Sequence, residues 1–159
     1  MLNQHFQEFI ALLEKNKVRY LIVGGYAVGL HGFPRYTGDI DFFIALSEEN
    51  ARLVLKTFRD FGFGDLGLKE KDFLEEEIVV EIGREPLKIQ VLTGIDGVTF
   101  DECWEDRKEV RISGLVVPVI GIESLLRNKE ASPRAKDKID LEELQRIKRK
   151  RDTEFHENG

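Results

Sequence analysis

The chain has 159 residues, 42% of them hydrophobic and 34% charged, with a formal net charge of −6. That length and apolar content suit one ordered domain with its own core, and exclude a disordered chain. The acidic balance argues against a general nucleic-acid binder held by overall charge, although residues 127–151 form a locally basic end.

No apolar run approaches the ~20 residues that a membrane helix needs, so no membrane partner is expected. The opening MLNQHFQEF lacks a basic region followed by an apolar one, so no signal peptide is expected. Cys103 is the single cysteine and cannot form an intramolecular disulfide, which points to a reducing cytoplasm. A catalytic thiol is disfavoured there, because the acidic neighbours in FDECWEDR oppose a thiolate.

In chain order, Phe6, Phe9, Ile10 and Leu13 fall at helical spacing and predict an amphipathic helix over 3–16. Tyr20 to Val23 is a β-type apolar run closed by Gly24-Gly25, a strand entering a tight turn. A short helix is expected over 26–30, a loop over 31–38 and a strand over 39–45. Ser47 is a good N-cap for a helix over 48–61. One helical turn is expected over 69–74. Strands over 77–82 and 87–92, joined by GREP, suggest a hairpin. A short helix over 100–106 and a second hairpin, 108–112 with 115–120, follow. Two helices close the chain, one over 122–130 and one opening at Ser132-Pro133 and running to about residue 150. The expectation is therefore an α+β fold, a mixed sheet flanked by helices in one domain over 1–151, with 152–159 a frayed tail.

Asp39 and Asp41 carry the chemistry. They lie two apart on a strand, so both side chains leave the same face among Ile40, Phe42, Phe43 and Ile44. Two like charges in that setting repel unless they share a cation, and hard oxygen ligands suit Mg²⁺ or Mn²⁺. Upstream, Gly24-Gly25 lets backbone N–H groups approach a phosphate closely. Arg35 and Thr37 add a guanidinium and a hydroxyl just before the pair. His31 reads as structural.

The pattern GG-x-A-(x3)-H-G-(x2)-R-x-T-x-D-x-D from Gly24 to Asp41 resembles the nucleotidyltransferase superfamily with the polymerase-β-type fold. Within it the chain is most similar to a prokaryotic branch related to abortive-infection nucleotidyltransferase toxins. The segment from Leu125 to Leu144 resembles that branch too. The resemblance implies that Gly24 and Gly25 hold a nucleoside triphosphate while Asp39 and Asp41 hold the metals. It also implies a third carboxylate on a neighbouring strand. Here that strand reads LKIQVL and the matching position is Gln90, a neutral oxygen donor able to ligate a metal and unable to act as a base near neutral pH. Glu81 on the preceding strand is the candidate substitute, and Asp96 is read as a turn residue beside Gly97.

On the last helix, Asp137 and Asp140 fall inside the arc of Leu141, Leu144 and Ile147. Carboxylates there require partners, for which Lys129, Arg134, Arg127 and Arg35 are candidates. One reading makes these a structural ion-pair cluster; in the other, Lys129, Arg134 and Lys136 line the nucleotide cleft. The resulting expectation is an enzyme that moves a nucleoside monophosphate from an NTP to a hydroxyl. The alternative is a degenerate nucleotide- or partner-binding member of the fold, with Gln90 as the reason. A toxin–antitoxin or defence setting, with tRNA or a protein as acceptor, follows from the resemblance alone. The sequence carries no indication of oligomeric state.

Overall fold

The computed structural model describes residues 2–84 and 86–158, except for the side chains of residues 157 and 158. Helix α1 (Gln4–Lys15) is capped by Asn3, whose side chain accepts from the His5 N–H, and it buries Phe6, Phe9, Ile10 and Leu13. Strand β1 (Tyr20–Val23) is buried at every position and runs straight into α2 (Gly24–Leu30). The Gly-Gly pair thus forms the first turn of the helix, which begins two residues before the expected 26–30. Strand β2 (Asp39–Ile44) is followed by α3 (Glu48–Asp60), whose N-cap Ser47 accepts from the Asn50 N–H. A 3₁₀ turn over Glu70–Phe73 leads to β3 (Val79–Arg84) and β4 (Leu87–Leu92). Then come α4 (Phe100–Glu105), β5 (Lys108–Ile112), β6 (Leu115–Val119), α5 (Ile122–Ala131) and α6 (Ala135–Asn158).

Among the described residues the strands form one mixed sheet in the order β3-β4-β2-β1-β6-β5. β1 is antiparallel to β2 and parallel to β6, while β2 is parallel to β4. The two hairpins foreseen in the sequence are the sheet's two ends, β3-β4 and β5-β6. One face is closed by α1 and α3 through rings, with Phe9 against Phe42 and Phe58 at centroid distances of 5.4 and 5.7 Å. On the opposite face Phe43 meets Phe100 of α4 edge-on. Asp39 and Asp41 share the Phe43 face, so Phe9, Phe42 and Phe58 lie across the sheet from the acidic pair, while Phe43 and Phe100 close its own face one row further along.

Two expectations are corrected. Strand β3 starts at Val79 rather than at residue 77, because Glu77 takes a positive φ of 61° and turns the chain before pairing begins. The expected frayed tail is instead helical, since α6 continues through 152–158, a stretch without glycine or proline to stop it. Glu85, in the expected GREP connection, lies outside the described residues.

Asn50 holds the near ends of β1 and β2 together. Its Oδ1 accepts from the Arg19 N–H at 2.8 Å, and its Nδ2 donates to the Arg19 and Ala45 carbonyls at 3.1 and 2.8 Å. Only 3% of the residue is exposed. Asn50→Ala would strand the Arg19 N–H and the Ala45 carbonyl, while the Arg19 carbonyl keeps the Ala45 N–H at 3.2 Å, so urea denaturation should show a loss of about 2–3 kcal/mol.

Candidate active site

The register places the candidate residues in rows. Val23 lies opposite Asp41, Asp41 opposite Gln90, and Gln90 opposite Glu81. One step along, Asp39 lies opposite Lys88. Residues paired in this way project on one face, so Asp39, Asp41, Lys88, Gln90 and Glu81 form a single polar field on β2, β4 and β3.

Gly24 begins α2 at φ +69°, and a Cβ there would collide with Asp41 Oδ2. Glycine is required twice over, by the left-handed backbone and by the carboxylate pressed against it. Thr37 packs on Gly25, and its hydroxyl donates to the Asp39 carbonyl at 3.2 Å. The turn, the threonine and the two aspartates expected to act together therefore sit together.

Burial pushes the Asp41 carboxyl up to about 6, and the charge of Asp39 adds to the rise; Lys136, Lys129 and Arg134 oppose it. Asp41 Oδ1 is buried and has no hydrogen-bond partner. An orphaned carboxylate oxygen beside a second carboxylate fits a hard divalent cation, which takes one or two carboxylates and completes its shell with water and phosphate oxygens. Among the described residues no group of three His, Cys, Asp or Glu side chains is placed to bind a metal, consistent with the amide at position 90. Gln90 spends its Nε2 on Glu81 Oε1 at 2.8 Å, and Lys88 Nζ lies 3.7 Å from Glu81 Oε2.

The helical pair α5-α6 brings cations over this field, but not as equals. Lys129 is 4% exposed and is clamped at 2.7 Å to Asp137 and 3.1 Å to Asp140. Arg35 is also committed, with Nε and Nη2 on the two oxygens of Asp140 at 3.0 and 2.9 Å. Arg134 and Ser132 complete Asp137. Burial works to raise the Asp137 pKa, yet hydrogen bonds from Lys129 and Ser132 overcome it and hold the carboxyl at about 2. Lys129 and Arg35, both expected at the phosphates, are thus joined in a buried ion cluster, and Arg127 instead contacts Ser124. Lys136 is exposed and heads the cations felt by Asp41. His31 is buried at the end of α2, and its ring Nε2 donates to the Ile120 carbonyl at 2.7 Å. Burial lowers its pKa, so it stays neutral and structural. Burial also raises the Cys103 thiol to about 11, which leaves it inert.

Two outcomes follow. Asp41 binds its proton more tightly folded than unfolded, so the wild type loses stability as pH rises from about 4 to about 6. Without divalent ions, Asp41→Asn should then be more stable than wild type by ~2 kcal/mol at about pH 7.5, with the gap closing below about pH 4 in denaturant melts. Lys129→Met leaves Asp137 and Asp140 buried without their shared cation and should cost about 3–5 kcal/mol in the same assay.

Similar proteins support the same fold. The chain spans 96% of its length against a Thermotoga maritima protein assigned as a nucleotidyltransferase, with 90% of that chain covered, 18% identity and a TM-score of 0.53. The lincosamide antibiotic adenylyltransferase LnuA, solved with lincomycin, superposes at TM-score 0.56 and 17% identity, covering 92% of this chain and 98% of that one. ANT(2'')-Ia, solved with adenylyl-2''-tobramycin, gives 0.53 and 16%, covering 94% and 96%. At these identities the likeness shows the fold alone. No curated protein sequence matches. Among the described residues no helix is long and apolar enough to cross a membrane. Residues 3–158 match the family described as nucleotidyl transferase of unknown function (DUF2204), and the chain belongs to that family.

Proposed function

We propose that the protein transfers a nucleoside monophosphate from an NTP to a hydroxyl acceptor, releasing pyrophosphate, at the face carrying Asp39 and Asp41. The observation that carries this is Asp41: a half-buried carboxylate with one buried, orphaned oxygen, next to a second carboxylate, under the cations of α5-α6. Asp39 and Asp41 would hold Mg²⁺ or Mn²⁺, which supplies charge neutralisation at the phosphoryl group under attack.

The other residues take distinct parts. Gly24 and Gly25 let the backbone come close to the triphosphate, and Thr37 fixes the approach to Asp39. Lys136, exposed beside Asp41, is the cation for phosphate oxygens. Arg35 and Lys129 act one step back, holding the loop before Asp39 against α6. The acceptor is open. The solved neighbours include enzymes held with antibiotics, while the abortive-infection resemblance points to tRNA or protein. One observation favours a second reading, a nucleotide-binding member without turnover, and that is the amide of Gln90 where the resemblance implies a carboxylate.

The test offers each α-labelled NTP with Mn²⁺ to the protein in the presence of total RNA, cell lysate, lincomycin or tobramycin. Label transfer that falls at least ~100-fold in both Asp39→Asn and Asp41→Asn is the expected result. NTP binding with no transfer to any acceptor would favour the second reading.

A further inference from the structure

The polar field is lopsided. On one side, Asp41 faces the cations of α5-α6. On the other, β3 is an edge strand, and Glu81 lies on it in the same row as Gln90 and Asp41. With strands about 4.8 Å apart, its backbone is about 10 Å from that of Asp41, with Gln90 between them. A triphosphate drawn to the cation side leaves the β3 side for the acceptor.

Glu81 is also held in place. Its Oε1 accepts from Gln90 Nε2 at 2.8 Å, and its Oε2 lies 3.7 Å from Lys88 Nζ. Its side chain is nevertheless 47% exposed, open to an incoming molecule. The next row on the same face, Phe43–Leu92–Val79, leads away from it. Phe43 and Val79 line a cavity of about 690 Å³ that begins one row along from Glu81, with Glu81 itself outside its lining, so an acceptor body seated there would reach back one row to the carboxylate.

We propose, on the basis of the nucleotidyl-transfer reading above, that Glu81 is the carboxylate that binds the acceptor hydroxyl, with Gln90 as its positioning residue. The acceptor O–H hydrogen-bonds to Glu81. As the acceptor oxygen bonds to the α-phosphorus, its proton passes to the carboxylate. The bond from the α-phosphorus to the bridging oxygen breaks, and pyrophosphate leaves with that electron pair. The proton then returns to water. Gln90 thus stands where a carboxylate is expected and delivers one from the next strand.

Glu81→Gln keeps an oxygen for the Gln90 hydrogen bond and removes only the charge. Three readouts apply to it: Mn²⁺ affinity by calorimetry, the NTP KM, and kcat for label transfer to the acceptor found above, or for pyrophosphate release with glycerol as a defined hydroxyl probe. The expected result is a kcat reduced ~100-fold or more, with Mn²⁺ affinity and the NTP KM within twofold of wild type. A kcat within twofold of wild type, while Asp41→Asn is inactive, overturns the assignment of Glu81 and leaves the transfer reading standing. Mn²⁺ affinity lost in Glu81→Gln as in Asp41→Asn would make Glu81 a metal ligand and also overturn it. Transfer that survives in both aspartate variants, or no transfer by the wild type to any acceptor, overturns the transfer reading and this proposal with it.

Discussion

Two negative charges on one face of one strand, two residues apart, are the constraint to which the rest of the molecule answers. Asp39 and Asp41 cannot spread apart, because β2 is held between β1 and β4. Their repulsion is met by Lys136, Lys129 and Arg134 from the α5-α6 pair. Lys129 is itself too deeply buried to stand alone, and Asp137 and Asp140 neutralise it. Asp140 in turn takes Arg35, from the loop that leads into Asp39. Charge thus alternates from the aspartate pair through the helical hairpin and back to the loop before the pair. A buried cluster of this kind adds little net stability, since desolvation consumes most of the Coulombic gain. What it fixes is geometry: the last helix cannot shift without moving the residues that lead into β2.

The same logic explains the tight backbone around the pair. A Cβ at Gly38 would collide with the Pro86 carbonyl, so the loop before Asp39 lies flush on the β3-β4 connection. Gly24 lies equally close to Asp41. Both close approaches remove space into which a carboxylate would relax. Asp41 is left with a raised pKa and an unpartnered oxygen, an arrangement that a bound cation would relieve.

Much of this was legible in the sequence because the signals are local. β1 is foreseen residue for residue from an apolar run closed by glycines, and the shared face of Asp39 and Asp41 follows from strand periodicity alone. Asp137 and Asp140 announce buried partners by lying on an apolar helical stripe, and the structure pairs them with Lys129, Arg134 and Arg35. The roles of those partners were not legible. Lys129 and Lys136 carry the same charge in the same segment, and only tertiary packing buries one and exposes the other. Asn50 was missed, although a polar residue facing the core one turn after Ser47 was the available signal. The relation of Glu81 to Gln90 depends on register between strands, which spacing along the chain does not encode.

Register also gives a physical reason for the amide at position 90. A carboxylate there would sit directly beside Asp41, about 5 Å away across the strands. At an effective dielectric near 20 that repulsion is roughly 3 kcal/mol, against about 1.7 kcal/mol for a charge on β3 about 10 Å away. The charge on β3 also has Lys88 beside it. Asp41 already carries burial and the repulsion of Asp39, so a third negative charge at the closer position would favour its protonated form and weaken its hold on a cation. Placing the acid one strand further out keeps Asp41 ionisable and leaves a neutral amide between them. The departure at Gln90 is then a redistribution of charge across three strands, with the proposed metal side and the proposed acceptor side of the field kept apart.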